Sequence, residues 1–374
     1  MAEITELKPL LSVCDLLDAQ RIPVTAKDRK SGPYPYYGAN GIQDYVDRYI
    51  FDDELVLLAE DGGNFGSKEK PIAYRISGKC WVNNHAHVLK PHNNVDVDYL
   101  CYALMFYDTT GLVNGATRQK LTQSAMKQMK ILLPDKSVQL EIVKRINCVN
   151  HLINLHKKQL ENLEELVKSR FIEMFGDFEQ NPLKWEKVSL GELAEVGSSK
   201  RVFKDELIEK GIPFYRGTEI GKLAEGQEIQ PELFISKEHY QELCKASGKP
   251  DIGDLLLPSI CSDGRIWQVD TDNPFYFKDG RVLWIHHISN DYNSTYVLFA
   301  LKNRVSNDYE SIASGTTFSE LKIFSLKRCL IFKVPLNLQN QFSDFISEID
   351  KSKYRGEDSR HFLGICYKMV MNMI

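Results

Sequence analysis

The sequence predicts an α+β fold: two homologous, mixed α/β domains set apart by long helices. Three observations predict it. Residues 137–175 carry a long aliphatic helical stripe that only His156 and Arg170 break. The segments on either side of that stretch repeat each other's motifs in the same order. The chain has 374 residues and is 43% hydrophobic, enough to bury two cores. The expected boundaries are 1–136 for the first domain, 137–177 for a central spacer helix, 178–336 for the second domain, and 337–374 for a C-terminal helix and tail.

Residues 1–136 read as a mixed domain rich in short strands. Tyr34-Pro35-Tyr36-Tyr37-Gly38-Ala39-Asn40-Gly41 is aromatic and turn-forming, with Gly and Asn able to take positive φ. Leu55-Val56-Leu57-Leu58-Ala59 is a short buried strand running into Glu60-Asp61-Gly62-Gly63. Trp81 to Leu89 alternates like a strand, and Val97 to Tyr107 reads as a helix. Thr109 to Pro134 contains no acidic residue and carries Arg118, Lys120, Lys127 and Lys130.

The central helix follows the loop Pro134-Asp135-Lys136. Steps of four and three from Ile142 meet Ile146, Val149, Ile153, His156, Leu160, Leu163, Val167 and Arg170. Such alternation marks a coiled-coil seam. Charges such as Glu141, Lys144, Lys157, Glu161 and Lys168 fall off it. Neither Pro nor Gly occurs before Gly176, a C-cap signal. At 1.5 Å per residue the helix spans roughly 55–60 Å, a strut rather than a core helix.

The second domain copies the first. Ile212 to Gly217 answers the turn at 34–38, and Gly253 to Pro258 answers the strand at 55–59. Asp263-Gly264 answers Asp61-Gly62, Arg281-Val282-Leu283 answers His87-Val88-Leu89, and Tyr296 to Leu301 answers Tyr99 to Leu104. At a constant offset of two hundred, Gly115, Thr117, Leu121, Lys127, Ile131 and Gln139 match Gly315, Thr317, Leu321, Lys327, Ile331 and Gln339. A repeat this long means two homologous domains, not a solenoid. A second long helix is expected from about Leu338, with Phe342, Phe345 and Ile349 on its seam. Arg355-Gly356-Glu357-Asp358 is expected to interrupt it, and Gly364 follows.

The composition narrows the function. No run of eighteen apolar residues occurs, so a membrane span is not expected. The start, Met1-Ala2-Glu3-Ile4, lacks a signal-peptide pattern. Eight scattered cysteines form no CxxC pair, which fits reduced thiols in a cytoplasmic protein. A net charge of −4 argues against gripping nucleic acid by bulk charge. No P-loop, HExxH, GxSxG or Asn-Pro-Pro-aromatic motif is present; Asn181-Pro182-Leu183 is the nearest to the last. Glu141 and Lys144 resemble a nuclease pair only in composition, and both lie on the seam helix. His85, His87 and His92 could ligate a metal, but Arg stands where the second copy should carry His87, so no metal is expected.

Basic residues on Gly-rich loops are the better signal: Arg21, Lys27, Arg29 and Lys30; Arg118 and Lys120; Lys200, Arg201 and Lys204; Lys278 and Arg281. Arg and Lys suit guanine or phosphate, while Asn40, Asn83, Asn84, Asn114 and Gln119 suit adenine. The competing class is a protein-interaction scaffold with duplicated domains on a coiled coil.

With Asn83-Asn84-His85-Ala86-His87-Val88-Leu89, the turn at 34–42, Leu133-Pro134 before Gln139 to Val143, Val334-Pro335 before Leu338 to Phe342, and Asp350 to Lys353, nearly the whole chain resembles the specificity subunit of type I restriction-modification systems. The resemblance implies two target recognition domains, each reading half of a split double-stranded DNA site. It implies antiparallel helices that dock two modification subunits, which carry S-adenosylmethionine and methylate adenine. Motor-nuclease subunits would join through the complex. The chain itself would be non-catalytic and hold no cofactor. Gly356 and Gly364 depart from the family's seam. The residues assigned to DNA are Arg21, Lys27, Tyr36, Asn40, Asn84, His87, Arg118, Gln119 and Lys120, then Lys200, Arg201, Arg216, Lys278, Arg281 and Thr317. Those assigned to a docking helix are Ile142, Ile146, Val149, Ile153, Leu160, Leu163 and Val167.

Overall fold

A computed structural model describes residues 6–115, 118–313 and 319–371, with side chains placed as far as Lys353. The chain divides into two units, Met1–Gln159 with Gly356–Ile374, and Leu160–Arg355. Among the described residues no helix is long and apolar enough to cross a membrane.

The first unit contains β1 (Glu6–Pro9), β2 (Cys14–Leu16), β3 (Tyr34–Gly38), β4 (Gly41–Val46), β5 (Phe51–Ala59), β6 (Ala73–Val82) and β7 (Ala86–Pro91). There follow α1 (Val97–Met105), α2 (Gln123–Met126), β8 (Lys130–Leu133) and the first part of α3 (Lys136–Phe175). Six strands form one sheet in the order β2-β7-β5-β6-β3-β4, with β3 and β6 parallel and the rest antiparallel. β1 pairs with β8 in a separate ribbon. The run from Leu55 to Ala59 is buried on both faces of the sheet. Val56 and Leu58 pack with Leu100 and Leu104 of α1, while Leu55 and Leu57 pack with Ile76 and Val88. Successive strand residues point to opposite faces, so an unbroken apolar run marks a strand covered twice.

The second unit contains β9 (Glu186–Ser189), α4 (Leu190–Leu193), β10 (Glu195–Gly197), β11 (Ile212–Tyr215), α5 (Gly217–Ala224), β12 (Phe234–Ile235) and α6 (Lys237–Ser247). It continues through β13 (Leu255–Pro258), β14 (Trp267–Gln268), β15 (Tyr276–Phe277), β16 (Val282–His286), α7 (Ser294–Ile312), α8 (Ile323–Lys327) and β17 (Leu330–Lys333) into α9 (Leu336–Met371). Its sheets run β10-β16-β13-β14 and β12-β11-β15, with β17 and β9 as the ribbon.

The repeat is visible bond by bond. Leu10 N donates to Met129 O at 2.9 Å, and Leu190 N to Cys329 O at 2.8 Å. Tyr99 Oη donates to Leu132 O at 2.7 Å, and Tyr296 Oη to Phe332 O at 2.8 Å. Gln139 and Gln339 are both fully buried. Each accepts, at 2.8 Å, the N–H of a helix N-cap residue, Asp96 or Asn293, and donates to the carbonyl of Pro134 or Val334. A buried amide with every partner supplied fixes one geometry, so each long helix is pinned to its own domain.

One correspondence needs correction. Leu121 N meets Glu60 O and Leu321 N meets Ser259 O, so Glu60 and Ser259 are equivalent. Glu60 N meets His85 O, and Ser259 N meets Arg281 O. Arg281 therefore answers His85, not His87.

α3 runs for 40 residues without a break. All nine stripe residues from Ile142 to Arg170 are buried or half-buried; between Lys144 and Arg170 every other residue is exposed except Asn150. Gly176, at φ +81°, closes the helix, its N–H on Ile172 O. In the second unit α3 and α9 run antiparallel. Phe171 and Phe175 stack edge-on against Phe342 at 5.4 and 5.5 Å, and earlier residues of α3, Glu164 and Val167, share a groove with later residues of α9, Ile346 and Lys353. The expected interruption at Gly356 is overturned: α9 continues for 36 residues through Gly356 and Gly364. Glycine inside a helix costs about 1 kcal/mol, unlike proline, and does not by itself end it.

Candidate nucleic-acid interface

In the first unit three loops meet beyond the ends of β3, β5 and β6. Asn40, beside Gly41 at φ +112°, donates its Nδ2 to Gly62 O at 3.0 Å. Gly62 N in turn donates to Gln119 O at 3.0 Å. The turn between β6 and β7 is shaped by Asn83, whose Oδ1 accepts the His85 N–H at 2.8 Å and whose Nδ2 donates to Gln43 Oε1 at 2.9 Å. Asn40, Asn84, Arg118, Gln119 and Lys120 are all exposed there. Arg118 Nε lies 2.6 Å from Asp61 Oδ1, and Lys120 Nζ 3.2 Å from Glu60 Oε1.

Beneath this surface lies a buried ionic network. Asp18 accepts from Val88 N at 2.9 Å and from Gln123 Nε2 at 2.9 Å, and faces His87 Nδ1 at 2.6 Å and Arg21 Nη2 at 3.1 Å. Arg21 Nη1 also donates to Glu60 Oε2 at 2.7 Å and to Ala86 O at 2.6 Å. His87 Nε2 meets Leu121 O at 2.8 Å. Both ring nitrogens of His87 therefore face oxygen atoms. Burial pushes the Asp18 carboxyl up, but the His87 bond and charge, the Val88 N–H and Arg21 outweigh it and hold it below its ordinary value.

This burial corrects three DNA assignments. His87 is 0% exposed and Tyr36 1%, while Arg21 is spent on Asp18 and Glu60. They shape the surface from below. Asn83 is likewise buried. Lys27 is exposed in a different loop, the turn closed by Thr25 and Asp28.

In the second unit Lys200, Lys278 and Arg281 gather around equivalent loops. Ser199 Oγ donates to Phe277 O and Ser198 Oγ to Val282 O, each at 2.6 Å, which ties the Lys200 loop to β15 and β16. Lys278 N meets Tyr215 O at 2.9 Å, as Asn83 N meets Tyr37 O at 3.0 Å. Arg201 lies over the exposed Phe203 ring at 5.3 Å. Arg281 pairs with Glu320. Arg216 is held by Glu219 and Glu232, and buttresses the start of α5 rather than standing free. Thr317 lies outside the described residues.

The seam assigned to partner docking is covered: Ile146 is 0% exposed, Val167 6%, and Ile142, Val149, Ile153, Leu160 and Leu163 are half-buried. The large exposed apolar side chains of α3 are Val138, Leu140, Leu152, Leu155, Leu166 and Ile172; the last four lie on a second stripe, beside the seam, whose other members, Cys148, Gln159, Asn162 and Ser169, carry no formal charge. Sequence reading followed the strongest periodicity and passed over this second stripe. It weighed His85 only as a metal ligand and gave Asp61 and Glu320 no part in the DNA surface, because acids were not sought there; an acid next to the Gly62-Gly63 turn was the available signal.

Two metal-capable groups occur among the described residues. Asp18, Glu60 and His87 are filled by Arg21, and both His87 nitrogens are committed. Glu195, His286 and His287 meet at the edge of β10 and β16, with Glu195 Oε1 3.0 Å from His287 Nδ1. That bond raises the His287 pKa, whereas burial lowers that of His286.

Two copies of one α+β framework, each ending in a long helix and each presenting its own loop cluster, define a duplicated recognition protein. The family described as type I restriction modification DNA specificity domain matches residues 5–165 and 182–357. A putative type I restriction enzyme specificity subunit of Haemophilus influenzae is 32% identical over 366 residues, covering 92% of this chain and 87% of that protein. The MjaVIII specificity subunit of Methanocaldococcus jannaschii is 24% identical, over 70% of this chain and 66% of that one. The crystal structure of the type I restriction-modification system S subunit from M. genitalium superposes with a TM-score of 0.59 at 15% identity, covering 98% of this chain and 94% of that one. The chain belongs to the type I restriction-modification specificity subunit family, whose role is recognition of DNA sequence within a larger complex.

Proposed function

We propose that this chain reads a split DNA site, residues 1–136 contacting one half and residues 178–336 the other. Residues 137–177 and 337–374 hold the two readers apart and dock two modification subunits. The chain has no catalytic role of its own, and the motor-nuclease joins through the complex. The observation that carries this reading is the repeat itself: the hydrogen bonds that tie the ribbon, the central strands and the long helix together recur in both halves, while the loop tips differ. Asn83 stands where the other copy has Lys278, and His85 where it has Arg281. A constant frame with variable tips is what two readers of different sequences need. The exposed, uncharged stripe of α3 supports docking on its outer face.

The test is binding of duplex DNA by the chain assembled with its modification subunits. Specific binding should weaken steeply as salt rises, since phosphate contacts release counterions. Assembly with those subunits but no preference among duplexes would instead favour the protein scaffold.

A further inference from the structure

We propose that Arg118 reads a guanine in the major groove, and that Asp61 and His85 are the residues that position it. This rests on the reading that the first domain contacts DNA. The three side chains come from three loops and converge. Arg118 Nε is 2.6 Å from Asp61 Oδ1, Asp61 Oδ2 is 3.4 Å from His85 Nδ1, and Arg118 Nη2 reaches His85 Nδ1 at 3.5 Å. Their depths are graded: the Arg118 side chain is 58% exposed, His85 32% and Asp61 21%. The guanidinium is outermost and its holders lie beneath.

Two glycines make room for it. A Cβ on Gly62, at φ +69°, would stand 3.1 Å from Arg118 Nε. One on Gly115, at φ +102°, would stand 2.2 Å from Arg118 O. A side chain at either place would displace the arginine.

The carboxylate takes the Nε edge of the guanidinium. The terminal edge, with its parallel N–H donors, is then held outward in one orientation. Guanine presents N7 and O6 side by side as acceptors, the pattern that edge fits. Holding the arginine before DNA arrives also reduces the rotamer freedom lost on binding. The charge balance favours a base edge over a phosphate. Arg118, Lys120 and Arg21 lie against Asp61, Glu60 and Asp18, so the patch has little net field to attract an anion. What it offers is a directed pair of donors.

The experiment measures duplex binding by the chain assembled with its modification subunits. Each guanine of the recognition site is replaced in turn by 7-deazaguanine, which lacks the N7 acceptor and still pairs. Wild type should lose about ten-fold or more at the guanine read by Arg118, the effect of breaking a good bidentate contact. Arg118→Ala should bind the natural duplex about that much more weakly and become insensitive at that one position. Asp61→Ala keeps the arginine and should lose most of the discrimination there. In both variants unchanged sensitivity at the other half-site shows that the chain is folded. Uniform weakening on every sequence with a shallower salt dependence would make Arg118 a phosphate contact and overturn the proposal. A recognition site in which Arg118→Ala leaves every guanine sensitivity intact would overturn it too, while the DNA-reading role stood. A wild-type complex that shows no sequence preference would remove both.

Discussion

Phe342→Ala should destabilise the second unit by about 3–5 kcal/mol, the range for truncating a buried phenylalanine. Phe342 is 0% exposed. Its ring meets Phe171, Phe175 and Phe299 edge-on at 5.4, 5.5 and 5.2 Å. Those partners come from α3 and α7, so one ring joins both long helices to the domain core. Edge-to-face pairs add about 0.5–1.5 kcal/mol beyond the area they bury. Thermal unfolding of that unit should move down by roughly 10–15 °C. Phe324→Ala is the control. That ring is 67% exposed, and its removal should change stability by no more than about 0.5 kcal/mol. Equal effects from the two substitutions would show that the aromatic cluster does not hold the helices.

Asp18→Ala should cost the first unit about 3 kcal/mol. Removing one partner from a buried ion network leaves the others uncompensated, at about 3–5 kcal/mol. Glu60 still faces Arg21 at 2.7 Å and His87 at 3.6 Å, which keeps the loss at the lower end. The pH dependence follows from the lowered Asp18 pKa. A carboxyl held below its unfolded value, about 3.9 for Asp, stabilises the fold above that value and loses the contribution as pH falls through the folded one. The gap between wild type and Asp18→Ala should therefore be full near neutrality and narrow below about pH 4. Denaturant midpoints for the two proteins at pH 7 and pH 3 measure it; a gap that widens at pH 3 would contradict the network.

The helices and the duplication were legible because periodicity and repetition are local. The seam from Ile142 to Arg170 is the stripe that the fold buries, and Gln139 and Gln339, matched by offset alone, occupy equivalent buried positions. Burial of polar side chains was not legible. Tyr36 and His87 sit in the same motifs as exposed Asn40 and Asn84, and strand alternation cannot say which face a second layer covers. Arg21 was read as a free cation because its partners, Asp18 and Glu60, belong to a cluster that forms only when β2, β5 and β7 pair. Pairing with acids from other loops, Glu232 for Arg216 and Glu320 for Arg281, was hidden in the same way, whereas the Arg216–Glu219 pair is only three residues apart. At Gly356 the glycine was given too much weight: its cost is small, and the helix on either side carries it.

The most direct test of a two-part reader is a map of methylated adenines across the host genome, made with and without this chain. With it, methylation should fall in two short half-sites at one fixed separation, and without it that methylation should vanish. A single contiguous motif, or a map unchanged by loss of the chain, would contradict the proposal that two domains each read half of the site.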